Sequence, residues 1–118
     1  MNVTIHSVEG KGDLDKEVVW LDVKASDDLG RYILADTTYT DDDHISNEIR
    51  HTFWFPTTKV NVGDWVAVHT KSGTKTATKN DRGGTTHQFY WGLGRTIWNK
   101  DGDCAVLLHV DNWQTKRV

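Results

Sequence analysis

Trp98-Asn99-Lys100-Asp101-Gly102-Asp103-Cys104-Ala105-Val106-Leu107 is the stretch whose reading decides the fold. Asn, Asp and Gly accept left-handed backbone angles at little cost, and Asp-Gly is a strong hairpin signal. The stretch therefore reads as a strand end, a tight polar turn and the start of a second strand. Gly102 is expected at positive φ, with Asp103 placed to tie its carboxylate to amides of the turn. Ala105 and Leu107 are two residues apart, so they share one face of a strand and re-enter a core whose edge Trp98 covers.

The rest of the chain follows the same grammar. Short β-prone runs fall at 3–8, 17–24, 32–39, 49–55, 64–70, 87–91, 104–110 and 113–118, divided by Gly- and Asp-rich connectors at 10–15, 25–30, 71–85 and 99–102. Segment 41–47 has Asp residues suited to a helical first turn, but it is too short to shape the architecture. There is no internal repeat, low-complexity tract or compositional break, so residues 1–118 read as one domain. The expected architecture is a two-layer antiparallel sandwich with no helix longer than about two turns. Its expected core is Val19, Leu21, Leu34, Phe53, Phe55, Val66, Val68, Phe89, Trp98, Ala105 and Leu107.

The spacing W-N-x-x-G-D-x-A-x-L at the decisive turn resembles that of the lamin tail domain family, an immunoglobulin-like β-sandwich. Phe53-Trp54-Phe55-Pro56 and Val60-Asn61-Val62-Gly63-Asp64-Trp65-Val66-Ala67-Val68 are similar to that family's F-x-F-P, L-x-P-G and V-x-V run. His69-Thr70-Lys71-Ser72-Gly73-Thr74 resembles its H-T-G-S-G-T turn, and Thr86-His87 through Trp91 its T-H-L-Y-W strand. Glu17-Val18-Val19-Trp20-Leu21 resembles its first core strand, and Tyr32, Leu34 and Asp36 keep its W-x-L-x-D spacing with Tyr for Trp. The chain departs from the pattern at Val23 (usually Asn), Val62 (Pro), Lys71 (Gly) and Gly30, displaced by one residue. The resemblance implies a non-enzymatic module that binds protein or nucleic acid, with no catalytic residues to transfer.

Composition sets independent bounds. The chain has 118 residues, 14 Lys and Arg against 17 Asp and Glu, and a net charge of −3, too small to imply a dedicated nucleic-acid or membrane-surface protein. A single cysteine, Cys104, excludes an internal disulfide; nothing electropositive adjoins it, so it reads as a structural thiol. No signal-peptide pattern or spanning apolar run is visible, which predicts a soluble and cytoplasmic chain, unless it is a module of something larger.

Chemistry-bearing motifs are scarce. His6, His44, His51, His69, His87 and His109 are scattered, with no H-E-x-x-H and no C-x-x-C. Asp41-Asp42-Asp43 reads as a solvated acidic turn, since calcium needs six to eight oxygens converging on one point. There is no G-x-S-x-G, and no enzyme, metal or cofactor is expected.

Two features point to binding. Segment 71–85 carries Lys71, Lys75, Lys79 and Arg82 against Asp81 alone, a local charge reversal suited to weak, non-specific contact with a phosphate backbone or to a solubilising hairpin tip. It has no aromatic residue for base stacking. The second feature is tryptophan, six in all. If Val19 and Leu21, Phe53 and Phe55, and Val66 and Val68 face inward, then Trp20, Trp54 and Trp65 face out. Either they form an aromatic platform or loops such as 41–48 fold over them. The expected function is an interaction module docking a protein partner or a second copy of itself. The alternative is a carbohydrate-binding sandwich whose Trp rings stack on sugars: an exposed Trp row flanked by Asp, Asn and Gln favours sugar, and an apolar centre favours protein.

Overall fold

The computed structural model describes residues 1–99 and 101–118. Among the described residues the strands are β1 (Val3–Glu9), β2 (Val18–Val23), β3 (Asp27–Asp28), β4 (Tyr32–Thr38), β5 (His51–Trp54), β6 (Lys59–Val60), β7 (Trp65–His69), β8 (Thr76–Lys79), β9 (Thr85–Tyr90) and β10 (Asp103–His109). Among the described residues the helical content is one 3-10 turn, Leu29–Arg31, capped by the Asp28 side chain, which accepts from Gly30 N. The fold is thus nearly all β. No helix among the described residues is long and apolar enough to cross a membrane.

The strands form a five-stranded sheet in the order β1-β2-β7-β9-β8, a three-stranded sheet in the order β10-β4-β5, and a ribbon of β3 with β6. One continuous apolar cluster takes side chains from both larger sheets. Val3, Val19, Leu21, Val66, Val68 and Phe89 come from the first, and Tyr32 and Leu34 from the second. Their removal from water is the main favourable term in folding. Of the expected core, Val19, Leu21, Leu34, Phe55, Val66, Val68, Phe89 and Trp98 are buried, whereas Phe53, Ala105 and Leu107 are only partly buried and pack against the cluster. Phe53 and Leu107 lie on the edge strands β5 and β10, which leaves one flank uncovered.

The all-antiparallel expectation needs correction. β7 and β9 pair in parallel, Trp65 opposite Thr86 and Val68 opposite Phe89. The chain leaves β7, places β8 two strand positions away, and returns through residues 80–84 so that β9 fills the gap. Alternation along β9 sets which side chains face inward but not which neighbours the strand takes. β8 itself lies inside the segment read as a loop, as an edge strand with four exposed residues and no apolar period to betray it.

Two other expectations fail. No strand forms over 113–118: the last ladder-like bond is Val110 N to Arg31 O (2.7 Å), and residues 111–118 are all exposed beyond it. Segment 41–47 is not helical. Asp41 Oδ1 does accept the amides of Asp43 and His44 (both 2.9 Å), as a helix cap would. The chain then turns back, however, with Thr40 N bonded to His44 O and Tyr39 paired with Ile45. This turn lies over Thr37, whose hydroxyl donates to Ser46 O and Glu48 O, and not over Trp20 or Trp65.

At the decisive turn Gly102 has φ +88°, as its sequence requires, and its carbonyl accepts from Tyr39 N (2.9 Å). Lys100 lies outside the described residues. Trp98 is buried but belongs to an irregular segment instead of a strand end, so the turn leads from loop to strand. Glu17 holds that segment down. Fully buried, its side-chain oxygens accept from Thr70 Oγ1 (2.9 Å), Ile97 N (3.0 Å), Gly12 N (3.1 Å) and Trp98 N (3.3 Å). A carboxyl group with four donors around it compensates the loss of water that would otherwise forbid its burial.

Candidate functional site

The outward tryptophans divide between two surfaces. Trp20 (β2) and Trp65 (β7) stand on adjacent strands of the five-stranded sheet, with ring centroids 6.1 Å apart in an edge contact. His6 is the extra residue at a bulge in β1, and its ring meets Trp65 at 4.9 Å. The Arg82 guanidinium lies 4.0 Å above the Trp65 ring and donates to Asp22 Oδ1 at 2.8 Å, which covers one face of the indole. That bond, together with Lys24 at 2.9 Å, holds the Asp22 carboxyl below its ordinary range. A shallow cavity of about 280 Å³ is lined by His6, Glu9, Trp20, Trp65 and Thr86. Beside it, His69 stacks on Tyr90 (4.7 Å) and contacts Gln88 Oε1 through Nε2 (2.9 Å). This surface is aromatic but polar.

Trp54 belongs to the other sheet. It is 49% exposed at the end of β5, opposite Ile33 of β4, which in turn pairs with Leu108 of β10. Alternation places Ile33, Trp54, Leu108, Ala35 and Val106 on the face turned away from the core, because Leu34, Phe53 and Leu107 pack against it. Tyr39 and Ile45, both exposed and paired to each other, lie beyond Ala35 and Thr37, which are fully buried, Thr37 beneath the turn at 41–48. The Trp54 ring is fixed, since Nε1 donates to Gly30 O at 2.8 Å and Trp113 of the C-terminal segment meets it edge-on at 5.2 Å. The segment is tethered by Arg31 Nη1 to Asp111 O (3.1 Å). The result is a largely apolar sheet face with one rigid aromatic anchor.

The basic segment does not act as a unit. Arg82 is engaged by Asp22 and Trp65, and Lys75 sits 5.2 Å above the Phe89 ring with its ammonium 3.4 Å from Thr58 Oγ1. Lys71 and Lys79 form no ion pair among the described residues.

A polar cleft of about 470 Å³, lined by Asp36, Arg50, His51, Arg95, Thr96, Ile97, Asn99 and Asp103, escaped the sequence reading. Asp36 is 2% exposed; its Oδ1 accepts from His51 N (2.7 Å) and meets His51 Nδ1 (3.0 Å). The signal was there in the period of two. Asp36 follows Tyr32 and Leu34 on the core-facing parity, and His51 precedes Phe53 and Phe55 on theirs. An acid and an imidazole at core-facing positions must find partners, and here they find each other. Arg95 carried no such signal.

Two further buried pairs brace the turns. Asp64 accepts from Thr85 N (2.9 Å), Asn61 N (3.0 Å) and His87 Nε2 (3.0 Å). Burial works against its charge, but the amides of Thr85 and Asn61 and the His87 ring outweigh it and hold the carboxyl below the usual range. Tyr32 donates to Asp27 Oδ2 at 2.7 Å; burial first, then the Asp27 carboxylate, push its phenol up to about 12. Among the described residues no group of three or more His, Cys, Asp or Glu is arranged to hold a metal ion. No family model, curated protein or solved structure matches the chain.

Proposed function

We propose that this chain is a non-enzymatic interaction module of lamin-tail type, an immunoglobulin-like β-sandwich, that docks a protein through the outer face of its three-stranded sheet. The observation that carries the reading is the pair of exposed side chains Trp54 and Leu108 on either side of half-buried Ile33 across β5, β4 and β10, with Tyr39 and Ile45 exposed further along the same sheet. Large apolar side chains left exposed side by side, as Trp54 and Leu108 flank Ile33, mark interaction sites. Trp54 is also held in place before any partner arrives, so docking it sacrifices little side-chain freedom. The lamin-tail assignment is supported by the spacing at Gly102 and by two sheets that share one apolar cluster.

The occupant that requires nothing beyond this chain is a second copy. An apolar face is self-complementary about a two-fold axis, and two-fold dimers are the commonest assemblies. A net charge of −3 opposes such pairing only weakly. Sedimentation velocity over a range of concentrations tests this. A dimer that Trp54→Ser abolishes without loss of folding is expected.

A second reading rests on the other sheet. Trp20 is flanked by Glu9, Thr86 and the shallow cavity beside Trp65, the polar-rimmed setting in which an indole stacks on a sugar. Arg82 already occupies a face of Trp65, so Trp20 would carry the stacking. Titration with soluble β-glucan and α-glucan, followed by tryptophan fluorescence, separates the readings. A response lost in Trp20→Ala but retained in Trp54→Ser supports sugar binding, and a flat titration contradicts it.

A further inference from the structure

We infer that the cleft lined by Arg50, His51 and Arg95 binds a phosphate monoester. Its walls are built and not incidental: Asp36, almost wholly buried, grips both the backbone amide and Nδ1 of His51 and so fixes the ring. An oxygen that already accepts the His51 amide proton accepts from Nδ1 as well. The network therefore assigns the hydrogen of the neutral ring to Nδ1 and the lone pair to Nε2. Nε2 has no partner among the described residues.

Two guanidinium groups border the same space with their donors poorly used. Arg50 reaches Thr37 O at 3.4 Å, Asp103 Oδ1 at 3.5 Å and Asp36 Oδ2 at 3.6 Å, all at or beyond the long end of hydrogen bonding. Arg95 is exposed and makes no hydrogen bond or ion pair among the described residues. Planar forks of this kind match the oxygens of carboxylate and phosphate groups.

Nε2 chooses between those two anions. Near neutral pH a carboxylate brings no hydrogen to a neutral imidazole, whereas a phosphate monoester, whose second proton leaves near about pH 6, can share one. Phosphate thus satisfies the lone pair of Nε2 and the two guanidinium forks together. Asp36 and Asp103 balance the charges of Arg50 and Arg95, so the anion is held by the directed donors of the two forks and by its own proton shared with Nε2, not by an excess of positive charge. At about 470 Å³ the cleft is roomier than phosphate alone requires, leaving space for an organic substituent beside Ile97.

The test is an NMR titration of the folded chain near neutral pH with glycerol 2-phosphate, inorganic phosphate and sulfate, the last of which has no proton to share there. Saturable shifts at His51 and Arg95 are expected for both phosphates, with sulfate weaker. Arg95→Gln, at an exposed and unpartnered position, should weaken phosphate binding about tenfold, while Lys116→Gln on the C-terminal segment leaves it unchanged. His51→Gln should erase the preference for phosphate over sulfate. Sulfate binding as well as phosphate, Arg95→Gln behaving like Lys116→Gln, or no shift up to tens of millimolar would each overturn the assignment.

Discussion

Gly102 and Glu17 show how much a single residue decides here. At φ +88° a β-branched side chain is strained, yet a Cβ on Gly102 would meet nothing within 4 Å, so the penalty is purely one of backbone conformation. Gly102→Val should therefore destabilise the chain by about 1–3 kcal/mol, with Gly102→Asn milder, as thermal melts will register. An unchanged midpoint for the Val variant would contradict the turn. Glu17 acts through its partners. Glu17→Ala leaves the buried amides of Ile97 and Trp98 and the hydroxyl of Thr70 without acceptors, a loss of roughly 3–5 kcal/mol. Hydrogen exchange should quicken first at Ile97 and Trp98. Glu17→Gln rescues only in part, because its amide nitrogen would face N–H donors. Exchange at those two amides as slow as in the parent chain would show that the bonds are dispensable.

The turns between elements respond to pH through Asp64, which joins the start of β7 to β9 by way of Thr85 and His87. Its folded-state value lies below the ordinary one, so its contribution is complete above about pH 4 and disappears as pH falls through the depressed value. Asp22, Asp27 and Asp28 are depressed too and share this acid limb. Asp64→Asn should lower the melting temperature near neutrality and narrow its gap from the parent as pH drops below about 4. A constant gap across that range would mean that Asp64 stabilises by shape alone. Element by element, the strands other than β3, β6 and β8 were legible as short runs rich in apolar, aromatic or β-branched residues between Gly- and Asp-rich connectors. β3 and β6 are two residues long, and β8 reads Thr-Ala-Thr-Lys, so neither length nor period announced them. The parallel pairing of β7 with β9 was illegible for another reason: period two fixes faces, whereas neighbours depend on the path of the connection.

At the scale of the molecule, sequence reasoning found that Trp20, Trp54 and Trp65 face outward but could not group them. That grouping is set by sheet membership, which puts Trp20 and Trp65 on a polar face and Trp54 on an apolar one. The end cleft went unread because its residues come from positions 36, 50, 51, 95 and 103 and meet only when the sheets are assembled. The two outer faces and the cleft are distinct surfaces, so one substitution can silence one and spare the others. Trp98→Ala is the internal control for folding, since truncating a buried Trp should lower stability by about 3–5 kcal/mol. The docking claim is tested most directly by sedimentation velocity of the parent chain and Trp54→Ser across a wide concentration range, with melting temperatures recorded on the same samples. The account predicts a concentration-dependent dimer for the parent, a monomer for Trp54→Ser at every concentration, and closely similar melting temperatures for the two. A parent chain that stays monomeric throughout, or a Trp54→Ser variant that dimerises equally well, would contradict it.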